Sequence, residues 1–392
     1  VKQIRQFSWL RALCVISLLL GAPELEAGGG PSGYIVVYDP ADANAVTVAN
    51  RYQQTRGIPE RNMIPYPLPV ALFSKATSWD FIEALRGELL SRGLQPQMQG
   101  IALVGPIQQN SSVTGGTANG TSIQSLLYLS PNYERSTYPT SISTPVNYAY
   151  REPPVNPTAT LAANRAINGW TYWPVSYVGY TGGGGSSPRE VLDYISNAKA
   201  VDGSKPDGTI YWPVSADSAR NVRKSQIQNC APMWQALGMK YEISDASWVS
   251  GRTDVIGGIV GVATVDPNQG GTKFLPGSWV DSLTSFGGSM SWSTGQIKAT
   301  EWMRAGAYGS SGTVLEPYNS TAKFTNGHIH THFRLGASLG EAFWQSIKTP
   351  AEIISLGDPL MQPFADLPQV AITAPSNGST VSGTISVTVT AE

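Results

Sequence analysis

The chain has 392 residues, with 26 Lys and Arg against 27 Asp and Glu, a formal charge of −1, and only 14% of its residues charged. So even a balance leaves no electrostatic footprint for nucleic acid or anionic membrane. An apolar content of 41% is that of a folded chain, long enough for one large domain or two ordinary ones.

The first 27 residues read as a secretory signal peptide. Lys2, Arg5 and Arg11 precede the apolar run Ala12–Ala22, and a small residue, Ala27, follows. The run is too short to span a bilayer comfortably. Cys14 leaves with this segment, so the mature chain keeps Cys230 alone and forms no internal disulfide. The expected location is secreted, periplasmic or cell-surface, with no membrane span in the mature chain.

Residues 28–366 read as one α/β domain. Tyr34–Tyr38 is a short apolar, β-branched run suited to a strand buried on both faces. A helix follows, with Ala45, Val46, Ala49 and Tyr52 on one side and Gly57 as its stop. Trp79–Leu94 is an amphipathic helix ending at Gly93, and Gly100–Pro106 the next buried strand. Residues 108–156, rich in Ser, Thr, Asn, Tyr and Pro, form an irregular polar insertion. Val175–Tyr180 and Thr209–Val214 are further strands, each followed by a helix, the first opened by Pro188 and the second running from about Ser218 to Leu237. Strands also fall within Gly257–Val265 and Ala305–Pro317. This alternation predicts a largely parallel sheet flanked by helices. From 367 to 392 the pattern changes to two alternating β runs around an Asn-Gly turn, similar to the start of a bacterial immunoglobulin-like β-sandwich.

Several motifs invite a chemical reading. His328, His330 and His332 stand beside Arg334, whose charge disfavours a bound cation, and the spacing lacks the helical Glu of a zinc-protease motif. Gly336–Gly340 spells G-x-S-x-G, but no histidine follows it; Ser338 and Glu341 are spaced as a helix-capping box instead. Cys230 sits on an apolar helix face, as a small core residue does. Gly182–Pro188 has neither the lysine nor the spacing of a phosphate loop. The aromatic clusters at Trp170–Pro174 and Tyr211–Pro213 fit strand ends, or stacking on sugar rings.

The segment Tyr34–Pro59 with its R-G-I-P, the run Ser215–Arg223, Phe274–Gly288, the T-V-x-E-P of Thr313–Pro317 and the G-D-P-L-x-x-P-F of Gly357–Phe364 together resemble an uncharacterised family of exported bacterial proteins. The last third is also distantly similar to gingipain-type cysteine peptidases, which implies a caspase-like fold with a His after one strand and a Cys after the next. The matching strand ends fall at Ala263–Thr264 and Ser285, and offer neither residue. The same resemblance implies a helix before Ser338, with Ile329, Phe333 and Ala337 as its apolar stripe and the histidines on or near its solvent side.

Ligands of open α/β sheets bind beyond the carboxyl ends of the strands. That rule selects Asp39, Ser285 and Glu316 as candidate ligand-binding residues, expected to converge in one cleft if the domain is a hydrolase; Asp358 reads as a turn former. Taken together, the sequence suggests an exported, non-catalytic or degenerate hydrolase-like domain displayed with binding modules, its partner a cell-surface polymer or protein. The alternative is an active peptidase-like hydrolase. No cofactor is implied.

Overall fold

The computed structural model describes residues 30–67, 73–106, 110–112, 120–136, 171–181, 186–290, 295–367, 370–376 and 378–391. The segment read as a signal peptide, with Cys14, most of the polar stretch 108–156, Trp170 and Gly182–Gly185 lie outside them.

In chain order the strands are β1 (Tyr34–Tyr38), β2 (Met63–Pro65), β3 (Phe73–Ser74), β4 (Gly100–Val104), β5 (Asn110–Ser112), β6 (Thr121–Ser122), β7 (Val175–Gly179), β8 (Thr209–Pro213), β9 (Lys240–Ser244), β10 (Val255–Val260), β11 (Phe274–Ser282), β12 (Gly309–Thr313), β13 (Ile353–Gly357), β14 (Val370–Ala374) and β15 (Thr388–Ala391). The helices are α1 (Ala43–Arg56), α2 (Lys75–Ser91), α3 (Ile123–Leu129), α4 (Pro188–Ala200), α5 (Ile227–Ala236), α6 (Ala299–Arg304), α7 (His328–Arg334) and α8 (Leu339–Gln345).

Ten strands form one sheet in the order β2-β1-β4-β7-β13-β12-β11-β10-β8-β9. The first four pair parallel to one another, and so do the last five. Between the two blocks, β13 pairs antiparallel with β12 over Gly309–Thr313 and meets β7 at one bridge, Leu356 beside Tyr177. The expected mostly parallel α/β sheet is present. β3, β5 and β6 make a small separate sheet, and β14 with β15 a two-stranded antiparallel hairpin.

Strand composition dictates the layering. Ile35, Val37, Ile101 and Leu103 point into one core, while Tyr34, Val36, Ala102 and Val104 point into the other, as alternation requires of strands covered on both faces. Helices α2, α3, α5, α7 and α8 cover the first face, and α1, α4 and α6 the second. Local signals set the helix ends. Asp42 accepts hydrogen bonds from Asn44 and Ala45 at the start of α1, and Gly57 closes it at φ 69°. Ser187 and Glu190 form a capping box around Pro188.

The helix expected from Ser218 begins later, as a 3₁₀ turn at Val222 and as α5 from Ile227. Side chains hold the preceding residues in a loop instead: Ser215 Oγ donates to the Gly261 carbonyl at 2.7 Å, and Arg220 N donates to Asp217 Oδ1 at 3.1 Å.

The histidines do not face solvent. His328, His330 and His332 are only 3–4% exposed, because α7 is wedged against the sheet between α5 and α8. Ile329 and Phe333 are buried as expected. Among the described residues, no helix is long and apolar enough to cross a membrane.

Candidate functional site

Two places among the described residues stand out as candidates: the carboxyl ends of β10–β12, and a groove on the second face between α4 and α6.

At the first, β11 delivers Asp281 into the core, where Arg223 donates to both of its oxygens at 2.8 and 3.1 Å. Arg223 also donates to the carbonyls of Val260 on β10 (2.9 Å) and Thr325 (3.1 Å), while the hydroxyls of Ser311 on β12 and Thr325 donate to Asp281. Both charges are about 2% exposed. The pair therefore rivets three strand ends to the segment that enters α7. The sequence held a signal for this, since Asp281 interrupts an apolar strand between Val280 and Leu283, and a buried carboxylate needs a partner.

Just beyond, three edge hydroxyls are engaged by backbone, while Thr284 Oγ1 is buried without a partner among the described residues. Ser282 Oγ donates to the Val262 carbonyl at 2.9 Å and Ser289 Oγ to that of Val314 at 3.1 Å. Thr313 Oγ1 shares its proton between the carbonyls of Thr284 (2.6 Å) and Ser285 (2.9 Å). Lys298, overlooked in the sequence, donates from Nζ to the Phe286 carbonyl at 2.8 Å; burial pulls its ammonium down to about 8, against the opposing pull of Glu301. Glu352, paired with Lys323 at 2.7 Å, is pushed up by burial.

Ser285 and Glu316 thus share an edge, after neighbouring strands. Glu316 is exposed and, among the described residues, accepts only a local bond, from Tyr318 N at 2.9 Å. Asp39 does not join them. It closes a turn by accepting from Ala41 N at 2.9 Å, and β4, β7 and β13 separate β1 from β12. Four strand spacings of ~4.8 Å place it roughly 19 Å away, too far for a shared cleft.

Asp358 is more than a turn former. It accepts from Leu360 N at 2.9 Å, as a turn residue would, and from Tyr52 Oη at 2.7 Å. Arg56, itself paired with Asp202, clasps its other oxygen. This buried cluster ties the end of β13 to the carboxyl-terminal ends of α1 and α4.

The remaining motifs are packing. Ser338 and Glu341 make the expected capping box, so deeply buried that Glu341 is pushed up to about 7. Cys230 lies with Trp212 and Trp234 in the core. Tyr172, Trp173, Tyr211 and Trp212 are all under 8% exposed, leaving none of them for sugar stacking. His330 stands edge-on to Trp234 at 6.0 Å, and burial lowers it to about 3. No group of three or more His, Cys, Asp or Glu among the described residues is placed to hold a metal.

The groove has a geometric origin. Ten strands at ~4.8 Å span roughly 45 Å, while helices pack ~8–10 Å apart, so the helices described on this face, α1, α4 and α6, do not cover it fully. Between α4 and α6 a cavity of about 400 Å³ remains, floored by Val178, Leu356 and Ala307 and walled by Tyr194, Tyr308 and Phe274. Glu190 and Arg304 bridge its rim at 3.3 Å. No sequence signal marked it, because its walls, Tyr194, Phe274 and Tyr308, come from separate segments of the chain.

Comparison with protein-family models, curated proteins and solved structures finds no match for this chain.

Proposed function

We propose that the chain is an exported binding domain, built on a hydrolase-like α/β scaffold of caspase type and displayed with further modules. The observation that carries this reading is the preformed α4–α6 groove, of the size and mixed lining that ligand sites have. The carboxyl edge of β10–β12 supports it, since Ser282, Ser289 and Thr313 donate to backbone carbonyls there. The N-terminal pattern supports export. Ile372, Val387 and Val389, all about half exposed or more on or beside the β14–β15 hairpin, support reading residues 367–392 as the opening of an immunoglobulin-like module.

One observation favours a second reading, an active peptidase-like hydrolase. The ammonium of Lys298, lowered to about 8, meets the residue next to Ser285, and a lysine so tuned can serve as a general base. A mixed peptide-hydrolysis screen of wild type and Ser285→Ala, with and without Ca²⁺ or Zn²⁺, separates the two. The binding reading expects no cleavage in any arm; cleavage lost in Ser285→Ala overturns it.

A further inference from the structure

We infer that the α4–α6 groove is a saccharide cleft, taking a pyranose unit of a neutral oligosaccharide against Tyr308 and Phe274. The inference rests on the binding-domain reading and adds the ligand's chemistry.

Helix α4 presents Glu190, Asp193, Tyr194 and Asn197 to the groove, positions three, four and seven apart that share one helix face. Arg304 faces them from the end of α6. The rim therefore offers the Asp193 carboxylate as acceptor and the Asn197 amide as donor and acceptor, beside the Glu190–Arg304 pair. Neither Asp193 nor Asn197 is engaged in a hydrogen bond with the described residues, and both are exposed at the rim. A charged ligand of either sign would have to compete with the Glu190–Arg304 pair. A purely apolar ligand would desolvate the free amide and carboxylate without replacing their water. A hydroxyl both donates and accepts, so a polyol satisfies the whole rim.

The walls suit the apolar face of a sugar ring. Tyr194 and Tyr308 form a corner, centroids 6.1 Å apart and planes at 60°. The corner is fixed, because Tyr194 Oη donates to the Tyr308 carbonyl at 2.7 Å and accepts from Asp358 N at 2.6 Å. Phe274 is backed by Trp248, stacked at 6.2 Å, and by Trp302, edge-on at 6.3 Å. Aromatic faces carry negative potential that attracts polarised C–H groups, and walls held in place beforehand lose little entropy on binding.

Titration calorimetry on the full chain tests this with cello-, chito-, malto- and xylo-oligosaccharides, and with hexalysine and oligogalacturonate as charged controls. At least one neutral oligosaccharide binds. Tyr308→Ala weakens it on the order of tenfold or more, and so does Asp193→Ala, a change on an exposed helix face that leaves folding intact. Three results overturn the inference: no neutral saccharide binding at millimolar concentration, binding unchanged in both variants, or hexalysine bound in place of the sugars. Unchanged binding in both variants moves the site elsewhere and leaves the binding-domain reading standing; Ser285-dependent peptide cleavage removes that reading separately.

Discussion

The two faces of the sheet solve the same problem differently. On the first, five helices and a dense aromatic layer close the surface: Trp344 stacks on Tyr128 at 4.2 Å and donates from Nε1 to the Val175 carbonyl at 2.9 Å. On the second, the described helices α1, α4 and α6 leave a furrow lined by aromatic rings, with charged and amide side chains at its rim. The closed face contains most of the residues that look chemical in a sequence, namely three histidines, a cysteine and a G-x-S-x-G. The open face contains almost none of them. If the groove is the site proposed above, reactive residue types are poor guides here, and incomplete coverage of a sheet is a better one.

The contrast predicts large costs on the closed side. Arg223→Ala strands the Asp281 carboxylate in the core and should destabilise the fold by about 3–5 kcal/mol, measured by chemical denaturation. An equally stable variant would mean that water reaches the cluster and the face is not closed.

Two buried groups on the same face give pH slopes of opposite sign. His330, lowered to about 3, contributes stability that is present above its unfolded value near 6.5 and lost as pH falls toward 3. Glu341, raised to about 7, contributes stability that is present below its unfolded value near 4.5 and lost as pH rises through 7. Between about pH 4.5 and 6.5 the two oppose each other. His330→Leu should therefore leave stability that falls as pH rises across that window, and Glu341→Gln stability that rises, each by up to a few kcal/mol. Identical slopes in the two variants would refute the closed environment of both groups.

Smaller effects sharpen the boundary between the faces. A Cβ on Gly257 would lie 2.4 Å from the His330 ring, so Gly257→Ala should cost about 1–3 kcal/mol by forcing the ring to shift. Asp193→Ala, on the rim of the groove, should change stability by no more than about 0.5 kcal/mol. A thermal melt of each suffices, and a large loss in Asp193→Ala would show that the rim is structural.

How much of this was legible beforehand follows from which interactions are local. Strand β1, helix α1 with its Gly57 stop, the Pro188 helix start and the Ser338–Glu341 cap were readable, because adjacent residues encode them. The burial of His330 was not, since nothing near it in sequence announces α5 packing above it. Asp39 was selected with Ser285 and Glu316 by a rule about strand ends that is blind to lateral order, and strand order placed it four spacings away from Glu316's strand. Lys298 escaped notice because its environment is built by the Phe286 carbonyl and by burial, both tertiary.

The middle of the sheet is the last of its strands to be made. β13 fills the gap between the two parallel blocks, and its partners on the β7 side were synthesised long before: Ser176, whose hydroxyl meets that of Ser355 at 3.0 Å, stands 179 residues earlier, and Gln124, whose side-chain amide pairs with both the N–H and the carbonyl of Ser355, stands 231 residues earlier. Until Ile353–Gly357 emerges, β7 and β12 are raw edges inviting strands from other chains. Closure then brings together residues far apart in sequence, the kind of pairing that makes folding slow. The keystone of this arch is cut last, and a chain passed across a membrane would have to keep its two halves from pairing elsewhere until that piece arrives.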